Sequence, residues 1–369
     1  MSEQRIYYLD AVRSFCMLFG IFVHTASLIP DVKPYDLIGI TSSLFRMSTF
    51  FLISGYFATM LFLRRGTGGF LKSRLIALGV PLAVCLILLN PGSNYLVYIY
   101  HNGFVGINTF FFGDIPPDPK GPMVWHLHLW FLFSLMIYVA LTPACLWLIR
   151  HGNLDHLYEN LDQRFGGAVL ILLAALTGAY QILVRTSFTF VFKEFLPPNP
   201  LEWILWTTMA YIPFFFLGLL AFKSKAFFDR IHRISLPALT CSAALLIVLS
   251  QTNGLNGGNL EKALYHFTRG FTNLCVIGLI LSLFQYVITG PSRPLRFVSE
   301  SVYTVYLFHY LVIYALATAI EPYITNDDVL FIFVSLSTIV IGLAIHHGII
   351  KNSRWLMFLF NGRLVRPVS

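Results

Sequence analysis

Long apolar runs separated by short polar turns repeat along the whole chain. A membrane helix needs about 20 predominantly apolar residues, and ten segments meet that requirement. They lie near residues 7–30, 42–63, 74–90, 127–149, 167–187, 203–222, 235–251, 268–289, 298–320 and 329–350. The pattern therefore predicts an all-α polytopic membrane protein with about ten transmembrane helices.

Basic residues are concentrated on one side of the predicted membrane helices. Of the 25 lysines and arginines, 17 fall in the terminal segments and in four alternate loops, near residues 64–74, 150–164, 223–233 and 293–296. Cytoplasmic loops carry an excess of basic residues. We therefore expect both termini to be cytoplasmic.

One further segment, residues 94–112, is apolar and aromatic and could cross the membrane. A crossing there would move the later basic loops to the outside, against the charge bias. The three asparagines of this segment also suit an interfacial or re-entrant segment better than a lipid-facing helix. We therefore exclude it from the ten spans. The Pro- and Gly-rich stretch 113–122 (GDIPPDPKGP) that follows is predicted to be an extracytoplasmic loop.

Composition supports a membrane protein and excludes other classes. The mean hydropathy is +0.72 and only 11% of residues are charged, against about 25% in soluble domains. The net charge of +8 follows the loop pattern, so it indicates topology and not nucleic-acid binding. All five cysteines lie in apolar runs, and no metal cluster or disulfide is predicted. We expect one domain over residues 1–369, without a cleavable signal peptide.

The first apolar run contains two ionisable residues, Arg13 and His24. Eleven residues make three helical turns, which places both side chains on one face, about 16 Å apart along the axis. Intramembrane ionisable residues are functional-site candidates by default. The alternative is structural: Arg13 would pair with Asp10, and His24 would bond to a neighbouring helix.

Other polar residues stand in or beside apolar runs. Arg46 lies at the outer end of the second span, before residues 50–57 (FFLISGYF), where Ser54 either packs helices together or belongs to a site. His128 and Trp130 begin the fourth span; His128 would line an outward cavity, whereas tryptophans there also fit an interfacial belt.

The ninth and tenth spans also contain polar residues. In the ninth, Tyr303, Tyr306 and Tyr310 form a hydroxyl-rich stripe that is more often packing than a site. His309 stands in an apolar run and requires a partner. His346, near the cytoplasmic end of the tenth span, is expected to extend to the interface.

The chain has no phosphate-binding loop, no HExxH motif and no GxSxG motif. Neutral histidine can act as a general base or a nucleophile, and arginine binds phosphate or carboxylate. A phosphate-bearing donor and a hydroxyl-bearing acceptor would fit this combination. A transporter of a small anion or a lipid-linked sugar, binding at Arg13, Arg46 and His24, is the alternative from another class.

Several motifs together resemble the membrane-bound acyltransferase 3 family. The first is YLDAVR at residues 8–13, with ten residues between Arg13 and His24. The others are FRM at 45–47 with FFLISGYF at 50–57, GVP at 79–81, HLWFL at 128–132, YIPFF at 211–215 and SVYTVYLFH at 301–309. The resemblance covers nearly the whole chain.

The resemblance implies a membrane-bound O-acyltransferase in the cell inner membrane. It implies a cytoplasmic acyl-CoA donor and a sugar hydroxyl acceptor on the far side, with His24 catalytic and Arg13 its partner. Within the family, the chain looks like the members that transfer succinyl groups from succinyl-CoA to osmoregulated periplasmic glucans. Acetyl-CoA as donor, or another cell-envelope glycan as acceptor, is the alternative. No permanently bound cofactor is implied.

The resemblance also extends to individual site residues. The family has an Arg-x-x-Arg pair at the start of the third span, and here only Arg74 is present because position 77 is alanine. The expected catalytic set is His24, Arg13 and Asp10. The expected substrate-binding set is Arg46, Arg74, Ser54, His128, Trp130, Tyr303 and His309. The other expected partner is membrane lipid, and no oligomeric state is implied.

Overall fold

The computed structural model describes residues 7–29, 32–116, 125–188, 200–233, 236–251 and 258–363. Within these ranges the chain forms helices and no strand. The α-helices are α1 (Tyr7–Ala26), α2 (Lys33–Val84), α3 (Asn90–Asn102), α4 (Ile107–Phe112), α5 (Trp130–His151), α6 (Leu154–Phe165), α7 (Ala168–Ser187), α8 (Pro200–Lys223), α9 (Lys225–Ile231), α10 (Leu236–Gln251), α11 (Asn259–Val287), α12 (Arg293–Ile320), α13 (Asp327–Ala344) and α14 (Arg354–Asn361).

Eight helical segments among the described residues are long and apolar enough to cross a bilayer. They are Tyr7–Ala26, Lys33–Asn102, Leu127–His151, Ala168–Ser187, Leu201–Lys223, Leu260–Val287, Arg293–Tyr323 and Asp327–Ile350. Helix α9 and residues Leu236–Ser250 pass the same test together, bent by 69°, which gives up to nine. The all-helical membrane architecture is thus confirmed, whereas the count of ten and the orientation of the termini stay predictions.

The count differs at two places: the segment Lys33–Asn102 contains both predicted spans 42–63 and 74–90, and the predicted span 235–251 is a helix of 16 residues, Leu236–Gln251, that passes only together with α9. The first difference has a geometric explanation. Seventy helical residues extend about 105 Å at 1.5 Å per residue, over three times the bilayer core of about 30 Å. A straight segment could not be one crossing. The backbone breaks at Gly66, where φ is 65° and ψ is 174°, a left-handed conformation that glycine adopts readily. The basic loop predicted at 64–74 is therefore helical on both sides of this single break.

The segment 94–112 is not one helix. Helix α3 ends at Asn102, Gly103 has a φ of 84°, and the chain resumes only a six-residue helix, α4. Phe104 and Phe112 are 86% and 89% exposed. Its re-entrant or interfacial placement stays a prediction. The predicted loop 113–122 lies outside the described residues beyond Pro116.

The chain divides into two compact units. The first comprises Met1–Cys16, Ser43–Leu71 and Ile137–Pro291; the second comprises Met17–Ser42, Lys72–Met136 and Ser292–Ser369. In the first unit, α2 and α8 cross at Gly55 and Gly218, where an added Cβ would collide with the opposite backbone. In the second, a buried core joins α1, α3, α12 and α13 through residues such as Ile21, Val97 and Ile313. The prediction of a single domain is not tested by this division.

Candidate functional site in the second unit

Three histidines from distant parts of the sequence meet in the second unit. His24 lies in the last turn of α1, His128 in the short turn Leu127–Leu129 that precedes α5, and His309 in α12. The ring centroids of His24 and His309 are 5.2 Å apart, and those of His309 and His128 are 4.7 Å apart. His309 is 4% exposed and His128 5%. We call His24, His128 and His309 the histidine cluster.

An unusual backbone conformation presents His128. Leu127 has a φ of 46°, in the left-handed region that side chains other than glycine seldom occupy. Such conformations cost about 1–3 kcal/mol and concentrate at functional sites. Residues 127–129 form one tight turn, and the α-helix begins only at Trp130. The chain therefore tolerates backbone strain at Leu127, directly before the buried His128.

Tyr306 connects α12 to this turn, and it also fixes the ring of His309 within α12. The Tyr306 hydroxyl donates to the carbonyl oxygen of His128 over 2.9 Å. The Nδ1 of His309 lies 2.5 Å from the carbonyl oxygen of Tyr306. A carbonyl can only accept, so Nδ1 carries the hydrogen, which leaves Nε2 of a neutral ring with its lone pair. His309 is thus held in the tautomer that can accept a proton at Nε2.

The imidazole of His128 is held by packing. Both ring nitrogens are buried, and neither makes a hydrogen bond of normal geometry within the described residues. Tyr310 stacks on this ring at 5.1 Å and 14° between planes, and Tyr306 meets its edge at 5.3 Å. Tyr310 also contacts the edge of His24 at 5.1 Å. A buried polar group without a partner costs free energy, which is a reason to expect a ligand or water there.

In the first unit, the expected catalytic residue Arg13 lies beside Asp10, with an Nη1–Oδ1 distance of 4.0 Å. Its guanidinium stands over the rings of Phe50 and Phe57, 5.4 Å and 5.5 Å from their centroids. Arg46 precedes Phe50 by one turn of α2 and so shares its face. Arg13 of α1 and Arg46 of α2 therefore both lie near the contact between these two helices.

The remaining predicted substrate-binding residues differ in their surroundings. Ser54 is half-buried beside Gly55, whose own contact with α8 is helix packing. Arg74 is half-buried, one turn before Ala77. The Tyr303 hydroxyl donates to the Ala77 carbonyl over 3.5 Å. Trp130 begins α5 directly after the turn that carries His128.

The expectation that His346 extends to the membrane interface is wrong. His346 is 2% exposed and its Nδ1 lies 2.8 Å from the Thr304 hydroxyl, which also accepts a bond from Asn361 over 3.1 Å. The chain widens into a π-turn at Ile345–Ile350, which rotates His346 towards α12. His347 stacks on Phe297 with centroids 3.8 Å apart.

Tyr306 and Tyr310 are absent from the set of site residues that the sequence predicts. Their three-to-four-residue spacing with Tyr303 was visible but fits packing equally well. The direct succession of His309 and Tyr310 gave no sign that the two rings share neighbours, because adjacent residues in a helix point in different directions. Here they contact both His24 and His128.

The histidine cluster has the composition of a proton-transfer site. Neutral imidazoles can accept a proton at one nitrogen while the other is held by a hydrogen bond. Among the described residues no group of three histidine, cysteine or carboxylate side chains is arranged to hold a metal ion.

Comparison with known proteins gives the family of the chain. The family model described as "Acyltransferase domain" matches residues 6–347. The proteins named "Glucans biosynthesis protein C" from Escherichia coli strain K12, O157:H7 and O139:H28 are each 29% identical over 99% of this chain and 96% of their own length. No solved structure matches the chain significantly. Together with the membrane-spanning helices, the match across nearly the whole sequence shows that this multi-pass membrane protein belongs to the acyltransferase family that the model describes.

Proposed function

We propose that this protein transfers an acyl group from a coenzyme A thioester to a hydroxyl of a sugar. The observation that carries the proposal is the meeting of the half-buried His24 with the buried His309 and His128 in one cluster. The placement of His24 in the family motif and the family membership itself support it. Sugar hydroxyls are weak nucleophiles, so a positioned base is the group this reaction requires.

The more specific proposal is succinyl transfer from succinyl-CoA to glucose hydroxyls of periplasmic glucans, across the inner membrane. It is supported by the printed name of the E. coli relatives, which are 29% identical along almost the whole chain. The placement of basic residues, with both termini cytoplasmic, is consistent with a donor arriving from the cytoplasm. Acyl-CoA is a substrate in this scheme and not a resident cofactor.

In the proposed reaction the hydroxyl oxygen attacks the thioester carbonyl carbon. His24 accepts the hydroxyl proton, the carbon–sulfur bond breaks, and the proton ends on the sulfur, giving an ester and free coenzyme A. His309, through its Nε2 lone pair, and His128 would stabilise or relay this proton; their ring contacts with His24 and with each other support this role. Without such a base the reaction would lose about 10²–10⁴-fold in rate.

The arginines are proposed to bind the acyl donor. Arg13, with Asp10 beside it, and Arg74 would bind the phosphates or orient the donor, because guanidinium groups suit phosphate oxygens. Arg46 would bind the carboxylate of a succinyl group. Ser54, Trp130 and Tyr303 are proposed to contact substrate.

The deciding experiment uses purified full-length protein with succinyl-CoA and periplasmic glucan, and detects ester formation by mass spectrometry. We expect His24→Ala to insert and accumulate normally and to have no transfer. The matched control is His151→Ala, an exposed histidine that stacks on Trp147, which should retain the wild-type rate. Wild-type transfer by His24→Ala would contradict the assignment of the base. No transfer by the wild-type protein with either succinyl-CoA or acetyl-CoA would instead favour a transporter.

The orientation has its own test. Compartment-reporting fusions at residue 118 and at the C-terminus should report the periplasm and the cytoplasm, respectively. A cytoplasmic signal at residue 118 would mean that residues 94–112 cross the membrane.

A further inference from the structure

A cavity of about 530 Å³ lies within the first unit, away from the histidine cluster in sequence. Four helices form its wall: α5 through Cys145, α6 through Leu154, Leu157 and Leu161, and α7 and α8 through further apolar residues. Its size lies within the range of about 300–1,000 Å³ for small-molecule sites. Apolar cavities of only about 150 Å³ stay dry and bind apolar ligands, so this larger one favours an apolar occupant.

The surrounding helices place the cavity at the edge of the membrane. Helices α5, α7 and α8 belong to candidate membrane spans. Helix α6 has twelve residues, about 18 Å in length, which is too short to cross a bilayer core of about 30 Å. Its three leucines face the cavity, and its remaining residues are largely charged. Such a helix lies along an interface, so the cavity is directly beneath the water boundary.

Two of the three acidic side chains of α6, Asp162 and Glu159, contact residues of α9 or its N-cap. The third, Asp155, accepts a hydrogen bond from the backbone N–H of His156. Asp162 receives two hydrogen bonds from Arg230, over 2.7 Å and 3.0 Å, and these bonds raise the pKa of the Arg230 guanidinium. Glu159 pairs with His156 at 3.6 Å and accepts a bond from the Ser224 hydroxyl over 3.4 Å. These contacts fix α6 against α9 and the end of α8.

Two cations remain beside the cavity. Arg164 follows the lining residue Leu161 by three residues, and Lys223 follows the lining residue Leu220 by three. Neither makes an ion pair within the described part of the chain. Ser224 follows Lys223 directly and contacts Glu159. Glu159 and Arg164 are about 7.5 Å apart along the axis of α6. Each of these two exposed cations therefore lies within one helical turn of a residue that lines the cavity.

We infer that this cavity binds one acyl chain of an anionic phospholipid, with its phosphate headgroup held by Arg164 and Lys223. The mostly apolar lining favours an acyl chain, and the two cations would attract a headgroup phosphate at the level of α6. This lipid site is separate from the proposed acyl-transfer chemistry, and it supports the α5–α8 part of the first unit.

The test is native mass spectrometry of the delipidated full-length protein, titrated with dioleoyl phosphatidylglycerol or dioleoyl phosphatidylcholine. We expect one phosphatidylglycerol to be retained in preference to phosphatidylcholine. Arg164→Gln combined with Lys223→Gln should weaken phosphatidylglycerol binding about 25-fold, from the usual contribution of each basic residue near an anionic headgroup. The control is Arg293→Gln combined with Arg354→Gln, two exposed cations of the second unit, which should bind as the wild type does.

The apolar part of the site is tested separately. Leu173→Trp enters the cavity and should abolish lipid retention, whereas Leu183→Trp, on the exposed surface of the same helix, should leave it unchanged. If Leu173→Trp aggregates, Leu157→Trp blocks the same space from α6. Unchanged retention in the cavity variants, equal retention of both lipids, or a dimer that replaces the lipid-bound form would each overturn the inference.

Discussion

The ring of Tyr310 stacks on the ring of His128, with the planes 14° apart and the centroids separated by 5.1 Å. Neither His128 nitrogen makes a hydrogen bond of normal geometry among the described residues, so this stacking and the ring contacts with Tyr306 and His309 orient the imidazole. Tyr310 touches His24 as well. One side chain thus positions two members of the histidine cluster.

Tyr310→Leu should lower the turnover rate about tenfold to hundredfold, because a displacement of about 1 Å in a reacting group can cost 10²-fold. Tyr310→Phe keeps the ring and should stay near the wild-type rate. The measurement is acyl transfer at saturating donor, with thermal unfolding in detergent as the control for folding. Equal losses in both variants would assign the effect to the hydroxyl and not to stacking.

His309→Asn separates the two nitrogens of His309. The asparagine amide can still donate towards the Tyr306 carbonyl but has no equivalent of Nε2. If Nε2 takes part in proton transfer, the turnover rate should fall by about 10²–10⁴-fold while the melting temperature changes little. A variant with the wild-type rate would restrict His309 to a packing role.

Arg13→Lys tests the planar group that stands over Phe50 and Phe57. Lysine keeps the charge but loses the flat guanidinium and its fork of donors. We expect the KM for acyl-CoA to rise while the protein still accumulates, and Arg13→Ala to raise it further. A normal KM in both variants would show that Arg13 does not bind the donor.

Arg46→Ala tests the identity of the acyl group. A buried succinyl carboxylate without a partner would cost several kcal/mol, and a hydrogen bond to a charged group contributes about 1.5–3 kcal/mol. We therefore expect succinyl transfer to fall roughly tenfold to hundredfold more than acetyl transfer when both donors are offered in competition. Equal losses would assign Arg46 to structure or to stabilising the oxyanion.

Gly218→Ala tests the packing of the first unit. An added Cβ would collide with the backbone of Leu52 on α2, and overpacking typically costs about 1–3 kcal/mol. The melting temperature in detergent should fall clearly. Gly39→Ala is the matched control, since nothing lies within 4 Å of its added Cβ, and it should melt as the wild type does.

The sequence by itself determined the membrane class and the family, and it singled out His24 and Arg13 as candidate site residues. Each follows from local information: apolar runs of bilayer length, and ionisable residues inside them that hydrocarbon does not solvate. The motifs around residues 8–24 and 50–57 carried the family resemblance, which the family match confirms.

Only the tertiary structure decided which histidines stand together. Residues 24, 128 and 309 are far apart in sequence, and no periodicity relates the end of α1 to the turn at Leu127–Leu129 or to α12. The same limit explains His346: burial depends on the π-turn and on Thr304 from another helix, and neither is visible in the apolar pattern of one span. The break at Gly66 is similar, since a glycine permits a left-handed backbone but the sequence does not say which glycine of the basic segment adopts it.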